Sequence, residues 1–279
     1  MVIADELNRV ITELKAAKNE NPVFEAHLVF RHILKMSAID LVLNSKKELA
    51  ESDLSEINTA VKRRINKEPL QYILNSQEFM GLEFYVDENV LVPRADTECL
   101  VEHILDFFMN KSFTGLDIGT GSGCIAISLA HYNKNCFMRG MDISKNAIEI
   151  AMKNAKDNGV DKKTVFDVGD IFKTELFGKY DLIVSNPPYI KSSDICELME
   201  DVKGYEPHLA LDGGKDGRNY YRHIVNIAPS LLIKGGMLAF EVGHDQADDV
   251  SNLMKDRGFD KIQIVKDLCG VKRVVSGIK

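Results

Sequence analysis

The pattern of hydrophobic and polar positions along the chain changes near residue 76. Before that point apolar residues recur with the period of an α-helix, and four of them share one predicted face: Leu7, Val10, Ile11 and Leu14. Asn21 and Pro22 match an N-cap followed by the first residue of a helix, and Asp53 with Glu56 matches a capping box. These signals predict a small N-terminal helical domain over residues 1–76.

A short alternation of apolar residues comes next. It runs from Phe79 to Val86 and predicts a β-hairpin. We assign residues 77–95 to a hairpin linker that contains this element. A helix is then predicted from about Asp96 to Asn110.

From residue 112 onward, strand-like and helix-like segments alternate. This order predicts an α/β domain over residues 96–279, in which a parallel sheet carries helices on both faces. The predicted strands are residues 115–118, 137–141, 164–168, 181–185, 237–242, 263–266 and 272–276. The predicted helices are residues 123–132, 146–158, 219–233 and 246–257. Gly159, the pair Gly235-Gly236 and Gly258 are predicted to end three of these helices.

The segment Asn186-Pro187-Pro188-Tyr189 directly follows one of the predicted strands. The prolines fix φ and lack N–H groups, so they end the strand, stiffen the turn and leave backbone carbonyls free for a ligand. Asn186 adds one acceptor and two donors on a short side chain, and Tyr189 adds a flat aromatic face. An isolated Pro-Pro pair is more often a plain turn. With Asn186 and Tyr189 on either side of the prolines, the segment indicates a clamp for a planar nitrogen, either an amide or a ring amine.

A glycine-rich turn, Gly119-Thr120-Gly121-Ser122-Gly123, follows the first predicted strand of the sheet. Glycines at this position permit unusual backbone angles and let a ligand approach the N–H donors at the start of a helix. The dinucleotide fingerprint requires glycine or alanine where this chain has Cys124, which disfavours a nicotinamide cofactor. By itself the turn is equally consistent with tight helix–sheet packing.

Acidic side chains follow the next strands. Asp142 ends the second strand, where a carboxylate can accept hydrogen bonds from both ribose hydroxyls. After the third strand, Asp170 can accept from an adenine amino group and Ile171 can pack on the ring. Separately, these aspartates would serve equally well as helix caps or loop carboxylates. In order at successive strand ends, with Asn186 at the fourth, they predict one nucleoside-binding crevice. Glu241 ends the fifth strand, either as a buried carboxylate satisfied by backbone donors or in a supporting role at the site.

Composition restricts the classes of function. A net charge of −7 argues against a general nucleic-acid binder, and the basic run Lys62-Arg63-Arg64 is more simply a solvated helix face. The five cysteines contain no CxxC pair and the histidines lack metal-ligand spacing, so we expect neither a disulfide framework nor a metal. No signal-peptide pattern or membrane-spanning stretch is present, which predicts a cytoplasmic protein without membrane association. We also expect a monomer.

Six segments together are similar to one known family. Besides the two motifs above, they are Pro93 to Glu98, Tyr205-Glu206-Pro207, Gly213 to Gly217, and Asp267 to Gly270 followed by Arg273-Val274-Val275. Nearly the whole chain resembles the PrmC (HemK) family of class I S-adenosylmethionine-dependent methyltransferases. That family methylates the glutamine of the Gly-Gly-Gln motif in bacterial peptide-chain release factors. The resemblance implies a seven-stranded, Rossmann-like sheet, S-adenosylmethionine as cofactor, and an N-terminal helical domain that helps to hold the release factor.

The resemblance also implies roles for the motif residues. We expect Asn186 and the carbonyl of Pro187 to accept the two hydrogens of the acceptor amide, while Tyr189 packs on the amide plane and Pro188 completes the substrate-binding turn. The expected cofactor-binding residues are Gly119, Thr120, Gly121, Ser122, Gly123, Asp142, Asp170, Ile171 and Asn186.

Two departures from the family pattern and three other functions remain to be considered. Ala95 replaces a usual proline, and Ile171 stands where some members have tryptophan, so we expect weaker cofactor binding rather than lost activity. A glutamine methyltransferase of a ribosomal protein is the nearest alternative. A methyltransferase for adenine N6 in DNA or RNA fits poorly with 42 acidic against 35 basic residues. A non-catalytic S-adenosylmethionine sensor would not require the acceptor clamp.

Overall fold

The computed structural model describes residues 1–279 and separates into two compact units. The first unit comprises Met1–Asn75 together with Met199–Tyr205, and the second comprises Ser76–Leu198 and Glu206–Lys279. The chain therefore leaves the second unit after Leu198, contributes a short segment to the first, and returns at Glu206.

The first unit is helical. Helix α1 (Ile3–Ala16) buries Val10 and Leu14, in agreement with the predicted apolar face, and packs against α2 (Pro22–Leu34). The remaining helices are α3 (Ala38–Leu43), α4 (Glu51–Ile65) and α5 (Leu70–Leu74). Buried apolar side chains from all five helices form one core.

The start of α4 differs from the prediction. The N-cap is Ala50, and the amide of Leu54 bonds to the Ala50 carbonyl at 3.1 Å, so Asp53 lies inside the first turn and the capping box with Glu56 is wrong. Acidic side chains favour the positive end of the helix dipole, which suits this earlier start. A reciprocal capping box forms instead at α3, where the Asp40 amide donates to Ser37 Oγ at 3.1 Å and the Ser37 amide donates to Asp40 Oδ2 at 3.0 Å.

The second unit begins with the predicted hairpin. Strands β1 (Gln77–Phe79) and β2 (Leu82–Phe84) pair antiparallel across Met80 and Gly81, which both have positive φ, as a tight two-residue hairpin turn requires. Helix α6 follows over Ala95–Phe107. Ala95 is its first residue, a position that proline favours but a good helix former also accepts.

The predicted seven-stranded sheet is confirmed, with the order β5-β4-β3-β6-β7-β9-β8. Its strands are β3 (Phe113–Ile118), β4 (Cys136–Asp142), β5 (Thr164–Val168), β6 (Tyr180–Ser185), β7 (Leu232–Glu241), β8 (Asp260–Lys266) and β9 (Lys272–Ile278). The sheet is mixed rather than wholly parallel, because β9 pairs antiparallel with both β7 and β8. The connection between β8 and β9 is too short for the crossover that parallel strands need.

Helices cover both faces of this sheet. They are α6, α7 (Cys124–Tyr132), α8 (Lys145–Asp157), α10 (Asn219–Leu231) and α11 (Ala247–Asp256), while α9 (Glu200–Tyr205) belongs to the first unit. Alternate residues of β6 pack into the cores on opposite faces of the sheet. Leu182 and Val184 join the cluster with α6, α7 and α8, and Ile183 joins the cluster with α10 and α11, as the pleat of a strand dictates.

The ends of the sheet helices are partly corrected by the structure. Gly159 and Gly258 follow α8 and α11 with positive φ, as predicted. The pair Gly235-Gly236 does not end a helix: α10 stops at Leu231, and both glycines lie within β7 near a register shift. No helix of the structure is both long and apolar enough to cross a membrane.

We predict that Ser37→Ala destabilises α3 by about 0.5–2 kcal/mol, because it removes the capping hydroxyl. Hydrogen exchange at the Leu41 amide, which bonds to the Ser37 carbonyl at 3.1 Å, measures the effect. Ser52→Ala, on the exposed first turn of α4, is the control and should change stability by less than about 0.5 kcal/mol. Equal protection of Leu41 in both variants would contradict the capping role.

Candidate active site

A cavity of about 240 Å³ opens in the second unit at the carboxyl ends of the central strands. The residues that follow β3, β4, β5 and β6 all contribute to its wall. The sheet order reverses beside β3, because the chain passes from β3 to β4 and β5 and then returns to β6 on the other side. Such a reversal leaves a crevice at the carboxyl edge, which is where ligands bind in open α/β sheets.

The glycine-rich turn forms one wall of the cavity. Gly119 and Gly121 line it with φ of 75° and 53°, and a Cβ added to either would meet nothing within 4 Å. Both residues therefore present bare backbone to the open space. The amides of Gly119 and Thr120 bond to the Met141 carbonyl at 2.9 and 3.0 Å, which fixes the turn against β4.

The other three residues of the turn do not line the cavity. Thr120 is buried and its hydroxyl donates to Asp117 Oδ2 at 2.6 Å, where burial raises the pKa of Asp117 to about 7. The Ser122 carbonyl accepts from Asn154 Nδ2 at 2.9 Å. At Gly123, φ is 82°, a backbone conformation that favours glycine, and an added Cβ would lie 2.8 Å from Ile127 Cδ1. Contact of these three residues with a cofactor stays a prediction.

Asp142 lines the cavity at the end of β4 and is held from two sides. Its Oδ2 accepts the Gly121 amide and its Oδ1 accepts the Ser144 amide, both at 2.9 Å. Burial raises its pKa, and these backbone hydrogen bonds oppose that shift. Each carboxylate oxygen keeps a further lone pair. The carboxylate is therefore oriented in advance and can still accept two hydroxyl groups.

Asp170 and Ile171 both line the cavity after β5. Asp170 accepts the Phe172 amide at 2.9 Å and pairs with Lys173 at 3.0 Å, and these partners lower its pKa. Ile171 is buried, with its carbonyl bonded to His223 Nε2 at 2.9 Å. Tyr220 of α10 completes this part of the wall. Tyr220 could not be assigned to the site from the sequence, because α10 reaches this edge only through tertiary packing.

The Asn-Pro-Pro turn forms another part of the wall. Asn186, Pro187 and Pro188 all line the cavity. Asn186 Nδ2 donates to Thr97 Oγ1 of α6 at 3.3 Å. The carbonyl of Pro187 accepts no hydrogen bond from the protein, and its predicted bond to a ligand stays a prediction.

Tyr189 is not among the residues that line the cavity. Its ring packs against the core under α10 and α11, and its carbonyl accepts from Gln246 Nε2 at 3.0 Å. Burial, assisted by the charge of Glu241, raises the pKa of Tyr189 to about 12, while Arg273 and Arg94 oppose the shift. The phenol is therefore neutral at physiological pH. Its packing on an acceptor amide stays a prediction.

The surroundings of Glu241 do not match the first of its two sequence interpretations, a buried carboxylate satisfied by backbone donors. Its side chain is buried with the side chains of Thr97 and Asn186 within hydrogen-bonding reach of the carboxylate, whereas Oε2 has no partner. Burial raises its pKa to about 7, and Thr97 and the charge of Arg273 oppose the shift. Backbone donors therefore do not satisfy this carboxylate. Sequence reasoning did not place Thr97 at the site, since its only signal was membership of a family-like segment.

Two family descriptions match successive parts of the chain. Residues 5–74 match the PrmC N-terminal domain, and residues 95–202 match the methyltransferase small domain. A solved methyltransferase from Pyrococcus furiosus superposes with a TM-score of 0.54 at 20% identity, over 82% of this chain and 99% of its own. The sheet order and the nucleoside-type crevice thus define a class I methyltransferase, the class that takes its methyl group from S-adenosylmethionine.

Full-length relatives narrow this assignment. A Clostridium acetobutylicum protein named release factor glutamine methyltransferase is 37% identical over 100% of this chain and 99% of its own length. A Geobacter sulfurreducens protein of the same name is 41% identical over 92% of this chain and 90% of its own length. The chain belongs to the release factor glutamine methyltransferase family.

The site fits S-adenosylmethionine on three structural grounds. The bare glycine backbone leaves room for close approach, Asp142 has lone pairs for ribose hydroxyls, and Asp170 with Ile171 offers a carboxylate and an apolar side chain beside it. Gly119, Gly121 and Asp142 would hold the methionine and ribose parts, and Asp170 with Ile171 the adenine.

We predict that Asp142→Ala weakens S-adenosylmethionine binding by about 1–3 kcal/mol, because two charge-assisted hydrogen bonds are lost. Titration calorimetry measures the change. Asp167→Ala is the matched control, since this aspartate lies on β5, pairs with Arg139 and does not line the cavity. Unchanged affinity in Asp142→Ala would show that the ribose lies elsewhere.

Proposed function

We propose that this protein transfers a methyl group from S-adenosylmethionine to the side-chain amide nitrogen of the glutamine in the Gly-Gly-Gln motif of peptide-chain release factors. The observation that carries the proposal is that Asn186 and Pro187, whose carbonyl accepts no hydrogen bond from the protein, line the same cavity as the glycine-rich turn. Full-length similarity to release factor glutamine methyltransferases and the N-terminal family match support the choice of protein substrate.

The chemistry requires an oriented and polarised nitrogen. An amide nitrogen is a poor nucleophile because its lone pair is delocalised into the carbonyl. S-adenosylmethionine supplies a methyl group that its sulfonium has already activated. The task of the protein is therefore to hold the acceptor amide in line with that methyl group, and positioning of this kind can lower a barrier by several kcal/mol.

Asn186 and Pro187 are suited to this task. A primary amide has two N–H hydrogens, and the Asn186 side-chain oxygen and the Pro187 carbonyl are two acceptors on one rigid turn. Hydrogen bonds to both acceptors increase electron density on the acceptor nitrogen and fix its plane. Pro188 keeps the turn stiff, and we propose that Tyr189 packs on the amide plane once the acceptor is bound.

No strong base has to act before methyl transfer. The N–C bond forms as the bond between the methyl group and the sulfonium sulfur breaks, which leaves a neutral thioether. The nitrogen becomes acidic as it is alkylated, so its surplus proton passes to water after the new bond has formed. The acceptors that bind the N–H groups are already aligned to receive hydrogen bonds from the more acidic species. This sequence of events is consistent with a site that has an uncharged asparagine, rather than a histidine or lysine, at the acceptor nitrogen.

The proposal includes the setting in which the enzyme works. Release factors act in translation, so we propose a cytoplasmic location. A protein acceptor also agrees with the net charge of −7, which disfavours tracking along a phosphate backbone. The monomeric state expected from the sequence stays a prediction.

The substrate is tested with labelled S-adenosylmethionine and a panel that contains release factor, ribosomal protein, DNA and RNA. We expect the label on the glutamine of the Gly-Gly-Gln motif, mapped by peptide mass spectrometry. Label confined to ribosomal protein or to nucleic acid would replace the proposal with one of those activities. Cofactor binding without transfer to any acceptor would indicate a sensor.

We predict that Asn186→Ala abolishes turnover but leaves S-adenosylmethionine affinity within a few-fold, because the main loss is an acceptor for the substrate amide. Single-turnover methylation and titration calorimetry separate the two effects. Asn226→Ala, on the exposed face of α10, is the control and should behave as wild type. Near wild-type methylation by Asn186→Ala would disprove the clamp.

A further inference from the structure

A buried polar cluster lies directly behind Asn186. It contains Thr97 from the first turn of α6 and Glu241 from the end of β7, both only 2% exposed. Asn186 Nδ2 donates to Thr97 Oγ1 at 3.3 Å, and the buried carboxylate of Glu241 lies close enough to Thr97 and Asn186 for both side chains to lower its pKa. Neither Thr97 nor Glu241 lines the cavity.

The chemistry of the cluster dictates which way the Asn186 amide faces. The oxygen and nitrogen ends of an asparagine amide are nearly equal in size, so packing alone does not distinguish them. An ionised carboxylate can only accept hydrogen bonds. Glu241 therefore draws the Nδ2 end of Asn186 inward, and Thr97 accepts one Nδ2 hydrogen while it donates its own hydroxyl hydrogen.

We propose that Glu241 and Thr97 are positioning residues that hold the oxygen of Asn186 toward the acceptor amide and thereby set the polarity of the clamp. This inference rests on the proposed function. In the reverse orientation Asn186 would present N–H groups to the N–H groups of the substrate, and the clamp would not form. The negative charge of Glu241 also polarises the Asn186 amide, which strengthens its oxygen as an acceptor.

The polarity of the clamp should depend on pH. Burial raises the pKa of Glu241 to about 7. Below that pH the carboxyl group is protonated and becomes a donor as well, so Asn186 loses the partner that selects its orientation. Above it the carboxylate is ionised and the orientation is fixed. The expected sign is a kcat that rises through neutral pH and levels off above it.

Other titratable groups face Glu241 from the surrounding elements, and the test must separate them. They are Asp96 and Cys99 on α6, Cys124 on α7, Tyr189 after β6, Tyr221 on α10 and Arg273 on β9. Asp117 beside the glycine-rich turn also has a pKa of about 7. The difference between wild type and Glu241→Gln, rather than the wild-type profile alone, therefore reports on Glu241.

The kinetic test uses conservative pairs. Thr97→Val removes the hydroxyl at constant shape and Thr97→Ser retains it, while Glu241→Met removes the acceptor and Glu241→Gln removes the charge. We expect Thr97→Val and Glu241→Met to lower kcat on the order of 10- to 100-fold with little change in cofactor affinity. Thr97→Ser should restore activity. Glu241→Gln should lose the neutral-pH limb of the profile, which is the rise of kcat through neutral pH. Asp167→Asn serves as the control. Equal activity of Thr97→Val and Thr97→Ser, or an unchanged limb in Glu241→Gln, would overturn the proposal.

A second measurement needs no acceptor and so separates this inference from the proposed function. In protein labelled with ¹⁵N-asparagine, the Nδ2 resonances of Asn186 are assigned by their absence in Asn186→Ala. We expect them to titrate across neutral pH in wild type and not in Glu241→Gln. Resonances that do not move in wild type, or that move equally in both proteins, would refute the positioning role. A normal titration without release factor methylation would instead reject the proposed function alone.

Discussion

The reversal of strand order beside β3 is the constraint on which the site depends. β3 is hydrogen bonded to β4 on one side and to β6 on the other, with Asp117 opposite Val184 in the register. The turn that follows β3 and the turn that follows β6 therefore leave the same edge of the sheet on neighbouring strands, which lie roughly 4.8 Å apart. The proposed donor-binding backbone and the proposed acceptor clamp are thus brought together by backbone pairing.

The carboxylates at this edge show how local partners decide the state of similar groups. Asp142 is oriented by two backbone amides, and Asp170 pairs with an exposed lysine, so both have partners suited to the ionised form. Glu241 has only side-chain donors and a bare Oε2, and burial raises its pKa to about 7. An unsatisfied buried oxygen lowers stability. Its persistence at the site agrees with the rule that local costs concentrate where a protein functions.

The sheet could be predicted because its strands and helices have distinct hydrophobic periods and glycine signals. The errors have local causes. Gly235-Gly236 resembles a helix end, but β7 begins before the pair, so both glycines lie within the strand near a register shift. Asp53 with Glu56 matches a capping box, but the helix starts before it. The two walls of the cavity followed from residues at successive strand ends. Thr97 and Tyr220 could not be predicted in this way, because tertiary packing brings their helices to the edge.

The Asn186 turn is not sufficient by itself to define its acceptor. Its prolines fix where the side chain begins, but the amide can turn over at almost no steric cost, and that choice decides whether it accepts or donates. The groups that make the choice lie on α6 and β7, and Arg273, which pairs with Asp96 of α6 at 2.8 Å, adds a positive charge near Glu241. Whether the clamp accepts or donates hydrogen bonds therefore depends on four elements, which are the turn after β6, α6, β7 and β9. The Asn-Pro-Pro turn indicates where the acceptor nitrogen is held. The buried cluster of Thr97 and Glu241 determines which end of the Asn186 amide faces that nitrogen.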